Sequence, residues 1–79
     1  MNSLDEKIAR FCAEYALSPQ QTRIFSALIN GALSNEALTS ELGMSEWAVS
    51  THLQRIAIKT LTVSRAQLLY LFYEGRRGR

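Results

Sequence analysis

The sequence has few of the residues that small proteins use for covalent cross-links, metal sites or catalysis. Its 79 residues contain one cysteine, Cys12, one histidine, His52, and one aspartate, Asp5. A single cysteine cannot form an internal disulfide, and with one histidine it leaves too few ligands for a structural zinc ion. Since no catalytic triad, carboxylate pair or glycine-rich phosphate loop can be assembled either, we expect no enzyme, no metal site and no cofactor.

The sequence also lacks a long apolar run. No uncharged stretch approaches the roughly 18 residues that a transmembrane helix needs, and the N-terminus has no basic segment followed by an apolar one. The chain is 47% hydrophobic and 20% charged, without repeats, linkers or low-complexity segments, which is typical of a folded domain. We therefore expect a single domain over residues 1–79, a cytoplasmic location and no membrane association.

Apolar residues recur at helical spacing along the chain, and no sustained stretch alternates as a strand does. This pattern predicts an all-α fold, a small helical bundle that contains a helix-turn-helix and has one extra N-terminal helix. The extra helix covers residues 3–15, four further helices lie within residues 17–74, and residues 75–79 form a basic tail. Capping serines mark the starts of the four later helices: Ser18, Ser34, Ser45 and Ser64.

The third and fourth predicted helices are joined by a tight turn that contains Gly43, which is the layout of a helix-turn-helix. On the fourth helix, at about residues 45–59, the inner stripe consists of Val49, Leu53 and Ile56. The outer side carries Trp47, Ser50, Thr51, Gln54 and Ile58. A helix fits the major groove of B-DNA, where glutamine pairs with adenine and hydroxyl groups donate or accept. The polar outer residues are therefore candidate base readers.

The stretch from Leu17 to about Leu69 resembles the LuxR/GerE-type helix-turn-helix family, the DNA-binding module of many response regulators. The matching residues are Leu17-Ser18-Pro19, Gly31, Ser34-Asn35, Leu42-Gly43-Met44-Ser45 and Val49-Ser50-Thr51-His52-Leu53, followed by Ile56, Lys59 and Arg65. The resemblance implies a four-helix domain whose recognition helix, the fourth helix here, enters the major groove. It also implies a last helix that often supports dimerisation, and a stand-alone, GerE-like protein.

The leading hypothesis is a sequence-specific transcriptional regulator that binds double-stranded DNA as a homodimer. Base reading is expected from Ser50, Thr51 and Gln54. Phosphate contacts are expected from Asn35, Ser45, His52, Arg55 and Lys59. For His52 the resemblance implies the phosphate contact, and the alternative is that the ring completes the fold between helices.

The expected DNA face has less positive charge than the family pattern. Ser50 stands where a basic residue is common, and Glu36-Ala37 stands where Lys-Glu is usual. Because each neutralised phosphate adds to affinity, a face with few cations predicts weak, salt-sensitive binding by a monomer. A rival hypothesis is therefore a protein-interaction module or anti-activator, which binds another transcriptional regulator and has little DNA binding of its own.

Positive charge is concentrated in the second half of the chain. Residues 1–42 carry a net charge of −2 and residues 43–79 a net charge of +4. Such asymmetry can mark a nucleic-acid-facing half. Part of it comes from the tail, where Arg76, Arg77 and Arg79 are either solvated or in contact with phosphate.

The last helix, around Leu68 to Tyr73, is apolar on all sides. Because a small monomer cannot fully bury such a helix, either the N-terminal helix or another subunit must cover it. We expect self-association through an interface of Leu4, Ile8, Phe11, Leu68, Leu69, Leu71 and Phe72. Two other apolar residues are interpreted as structural: Trp47 is expected to be partly buried over its neighbours, and Cys12 to be a small core residue.

Overall fold

A computed structural model describes residues 3–75, and this range forms five α-helices and no strand. The helices are α1 (Ser3–Glu14), α2 (Pro19–Ile29), α3 (Asn35–Leu42), α4 (Glu46–Thr60) and α5 (Arg65–Glu74). The predicted all-α small bundle is confirmed. Arg76, Arg77 and Arg79 of the basic tail lie outside the described residues. Within the described range, no helix has the length and apolar character needed to cross a bilayer.

Side-chain caps fix the starts of α2 to α5 as the sequence predicts. At α2 the Ser18 hydroxyl accepts from the Gln21 N–H at 3.2 Å, and the Gln21 side chain accepts from the Ser18 N–H at 2.9 Å. The corresponding serine bonds at α3, α4 and α5 measure 3.0, 3.1 and 3.0 Å. Each cap satisfies a backbone donor that the first helical turn leaves unpaired. The four helix starts are therefore fixed locally by sequence.

Three phenylalanine rings form the centre of the core. Phe11 of α1 stacks on Phe25 of α2 with ring centroids 4.6 Å apart and planes within 6°. Phe72 of α5 meets both rings edge-on, at 5.5 Å and 5.4 Å. Stacked and edge-to-face pairs are the preferred aromatic geometries. These contacts join α1, α2 and α5, while α2, α3 and α4 pack pairwise against one another.

The expected dimer interface is wrong for five of its seven residues, because they are buried inside the single chain. Those residues are Ile8, Phe11, Leu68, Leu71 and Phe72. Leu4 and Leu69 are half-buried and pack against the same core. Of the two ways of covering the last helix, the structure shows the first: α1 lies against α5. The large hydrophobic side chains that α5 still exposes are Tyr70 and Tyr73.

Cys12 lies on the buried side of α1, as expected for a small core residue. Its burial disfavours the charged thiolate and raises the pKa of the thiol, although a hydrogen bond with Thr22 acts in the opposite direction. The thiol is therefore protonated at neutral pH, which makes it a poor nucleophile.

Candidate nucleic-acid interface

The outer face of α4, defined here as Trp47, Thr51, Gln54 and Ile58, lies opposite the side of the helix that enters the core. Val49 and Ile56 are fully buried, which fixes the rotation of α4 about its axis. Gln54 is exposed and Thr51 is half-buried. Neither side chain makes a hydrogen bond to another described residue. Both polar groups are therefore available to a partner that approaches this face.

The outer face is apolar at its two ends. Trp47 is 76% exposed and Ile58 is 72% exposed. The expectation that Trp47 is partly buried is wrong, because burial of Val49 turns position 47, about 200° away around the helix, toward solvent. Large apolar side chains that stay this exposed in a folded chain are a common mark of an interaction surface.

The turn before α4 holds this helix against α3. Gly43 ends α3 with φ +65°, a left-handed conformation that a residue with a β-carbon adopts only at a cost. Ser45 then caps α4 by accepting from the Ala48 N–H at 3.1 Å. The Ser45 oxygen is thus used by the cap, but its hydroxyl proton remains able to donate. A phosphate contact from Ser45, at the N-terminus of α4, stays a prediction.

A polar cluster of Asn35, Ser50 and Arg65 joins α3, α4 and α5. The Arg65 guanidinium donates to the Asn35 side-chain carbonyl and to the Leu33 backbone carbonyl. The Asn35 amide nitrogen donates to the Ser50 hydroxyl oxygen at 3.2 Å. The structure therefore brings together an expected phosphate ligand and an expected base reader. Arg65, which the sequence marks only through the family resemblance, is the residue that links them.

Lys59 does not lie free on the outer side of α4 as expected for a phosphate ligand. Its ammonium group donates to the Ala16 carbonyl at 2.7 Å and to the Gln21 side chain at 2.8 Å. These bonds hold the end of α4 to the corner between α1 and α2. Arg55 is exposed, and its guanidinium makes no hydrogen bond to another described residue. Arg55 is thus the better placed of the two for a phosphate.

We expect substitutions of these two cations to have different effects. Lys59→Met should lower the free energy of unfolding by about 1 kcal/mol, because two hydrogen bonds from a charged group are lost but the exposed position of Lys59 lets water screen them. Arg55→Ala should leave stability within about 0.5 kcal/mol and should reduce the salt dependence of DNA binding by about one phosphate's contribution. Chemical denaturation and binding titrations at several salt concentrations measure the two effects. The assignment is contradicted if Lys59→Met alone lowers the salt slope.

His52 occupies a half-buried position on α4. Its Nδ1 is buried and has no hydrogen-bond partner among the described residues. One side of the ring thus faces the interior, which fits the interpretation that the ring completes the fold. The phosphate contact, which would use the other ring nitrogen, stays a prediction.

An apolar groove of about 190 Å³ lies beside the outer face, between α4 and the start of α5. Its floor is formed by Leu53, Ala57 and Leu68, and its rim includes Gln54 and Val63. Val63 is almost fully exposed. The groove adds apolar surface between α4 and α5, so a partner on this side of the molecule would meet apolar contacts as well as polar groups.

The described part of the chain holds no cluster of three or more His, Cys, Asp or Glu side chains that could bind a metal ion. No protein-family model, curated protein or solved structure matches the chain.

Proposed function

We propose that the protein is a sequence-specific regulator of transcription that binds double-stranded DNA with α4 in the major groove. The observation that carries this proposal is the position of Thr51 and Gln54. Both lie on the outer face of a capped helix whose opposite side is locked in the core by Val49 and Ile56. A helix held in this way can present amide and hydroxyl groups to base edges without rearranging.

Affinity in this proposal depends on more than one copy of the chain. On the described residues of α4, Arg55 is the one cation that is not engaged within the chain, since Lys59 is bonded to Ala16 and Gln21. A single protomer thus neutralises few phosphates, and its binding is weak. A homodimer on an inverted repeat, with half-sites about one helical turn apart, doubles these contacts.

Selection from a randomised duplex library at low salt tests the proposal with the full chain. We expect enrichment of an inverted repeat whose best member binds at least about a thousandfold more tightly than scrambled duplex. The spacing between the two half-sites would then report the separation of the two α4 helices. Enrichment of no site, or equal affinity for selected and scrambled duplexes, contradicts the proposal.

A second candidate function is supported by the exposed apolar ends of the outer face. Exposed tryptophan is a frequent hot spot of protein interfaces, whereas on DNA it offers no charge and one N–H donor. The protein would then be an interaction module or anti-activator that binds another transcriptional regulator through Trp47 and Ile58. This candidate gains support if the library yields no site and a protein partner is retained by the native chain but lost by Trp47→Ala.

A further inference from the structure

The polar cluster of Arg65, Asn35 and Ser50 has a fixed direction of hydrogen bonding. A guanidinium group can only donate, so the carbonyl oxygen of the Asn35 amide must face Arg65. The amino group of the same amide then faces Ser50, 3.2 Å away. An amino group of this kind also can only donate, so the Ser50 oxygen accepts. The hydroxyl proton of Ser50 is left without a role in this bond.

That proton has no acceptor within the described part of the chain. Serine and threonine in helices often donate to the carbonyl four residues earlier, as Thr60 does to Ile56 at 2.8 Å. The Ser50 side chain makes no such bond, and its one hydrogen bond to residues 3–75 is the one that its oxygen accepts from Asn35. Ser50 is half-exposed and lies one turn before Gln54 on α4. It therefore presents an O–H donor to whatever meets this side of α4.

We propose that Arg65 and Asn35 are positioning residues that hold Ser50 as a hydrogen-bond donor, so that on DNA Ser50 favours guanine over cytosine at one base pair. This inference rests on the proposed function. In the major groove guanine presents two acceptors, N7 and O6, whereas cytosine presents the N4 amino donor. Two donors facing each other leave both unpaired in a desolvated interface, which is costly.

Asn35→Asp tests the direction of hydrogen bonding in the polar cluster because it reverses the bond to Ser50. The introduced carboxylate, when ionised, still accepts from Arg65, but it must accept from Ser50 as well, which turns the serine lone pairs outward. The two duplexes to compare carry the selected site with guanine or with cytosine at the pair that Ser50 contacts. We expect the native chain to prefer guanine by about tenfold and Asn35→Asp to prefer cytosine.

Two further sets of variants distinguish the effect of hydrogen-bond direction in the polar cluster from a general loss of fold. Ser50→Ala, alone or combined with Asn35→Asp, should bind the two duplexes equally. Arg65→Met should also lose the preference, because without Arg65 the Asn35 amide can turn over. Arg65→Lys keeps a group that only donates and should restore the preference for guanine. Far-UV circular dichroism of each variant shows which of them are folded. If Asn35→Asp does not fold, the comparison of Arg65→Met with Arg65→Lys tests whether the polar cluster sets the base preference.

The possible failures are distinguishable. If the native chain enriches no site at all, the proposed function is overturned and the inference falls with it. If a site is enriched but Asn35→Asp keeps the native preference, or if Arg65→Met keeps it, only the inference is overturned. A preference for cytosine that survives in the Asn35→Asp, Ser50→Ala double variant also overturns it, because the introduced carboxylate would then contact the base without Ser50.

Discussion

Phe25→Ala is expected to lower the free energy of unfolding by about 3–5 kcal/mol, the largest single effect that we predict for this chain. The ring is fully buried, stacks on Phe11 at 4.6 Å and meets the edge of Phe72 at 5.4 Å. Its removal leaves a cavity at the point where α1, α2 and α5 meet. A domain of this size has about 4–12 kcal/mol of stability in total, so the substitution removes about a quarter of it or more, and the variant should unfold at a clearly lower urea concentration. Urea denaturation followed by far-UV circular dichroism measures the change.

Trp47→Ala is the matched control for this prediction. It removes a larger aromatic side chain, but one that is 76% exposed, so its effect on stability should stay within about 0.5 kcal/mol. The contrast between the two variants depends on burial and not on the number of atoms deleted. Comparable losses in both variants would mean that α4 does not have the rotation described above.

Gln54→Ala is expected to weaken binding to the selected DNA site by about 1–3 kcal/mol, which is roughly 5- to 150-fold. A glutamine side chain pairs with adenine through two hydrogen bonds, and alanine retains neither. The variant should also tolerate any base at one position of each half-site. Its affinity for scrambled duplex and its salt dependence should not change, because Gln54 carries no charge. Titrations with the selected site, its single-base variants and scrambled duplex measure all three quantities.

Gln20→Ala provides the corresponding control. Gln20 is also an exposed glutamine, but it lies on α2 and accepts a hydrogen bond from Arg23 at 2.9 Å. We expect no change in base preference for this variant. An equal loss on every duplex for Gln54→Ala, or a change in base preference for Gln20→Ala, would remove Gln54 from the base-reading set.

The helices and the rotation of α4 were predictable from the sequence because they depend on short-range patterns. Four helices are capped by a serine that accepts from the N–H three residues later: Ser18, Ser34, Ser45 and Ser64. Because each bond spans only three residues, the spacing of residues in the sequence is enough to predict it. The inner stripe of α4 was likewise correct at Val49 and Ile56. Helix periodicity gave no such guidance for α5, since a helix that is apolar on all sides has no preferred inner face. The packing of α5 against α1 and α2 shows that Phe72 faces inward.

The partners of the charged side chains depend on contacts between distant segments, and the sequence gives no local signal for them. Lys59 is bonded to residues 43 and 38 positions earlier, and Arg65 to residues 32 and 30 positions earlier. Periodicity indicates only that Lys59 lies near the end of α4. It cannot indicate that the corner between α1 and α2 lies within reach of its ammonium group. For this reason a cation expected at the DNA surface proved to be engaged within the chain.

The position of Trp47 also determines what intrinsic fluorescence can report. It is the only tryptophan in the sequence, and its indole ring already faces water in the folded chain. Unfolding therefore changes its surroundings little, and the tryptophan emission maximum should shift little when denaturant unfolds the core. Occupancy of the outer face by a duplex or by a protein would instead move the ring out of bulk water. The intrinsic fluorescence of Trp47 can therefore report binding to α4 without an added label.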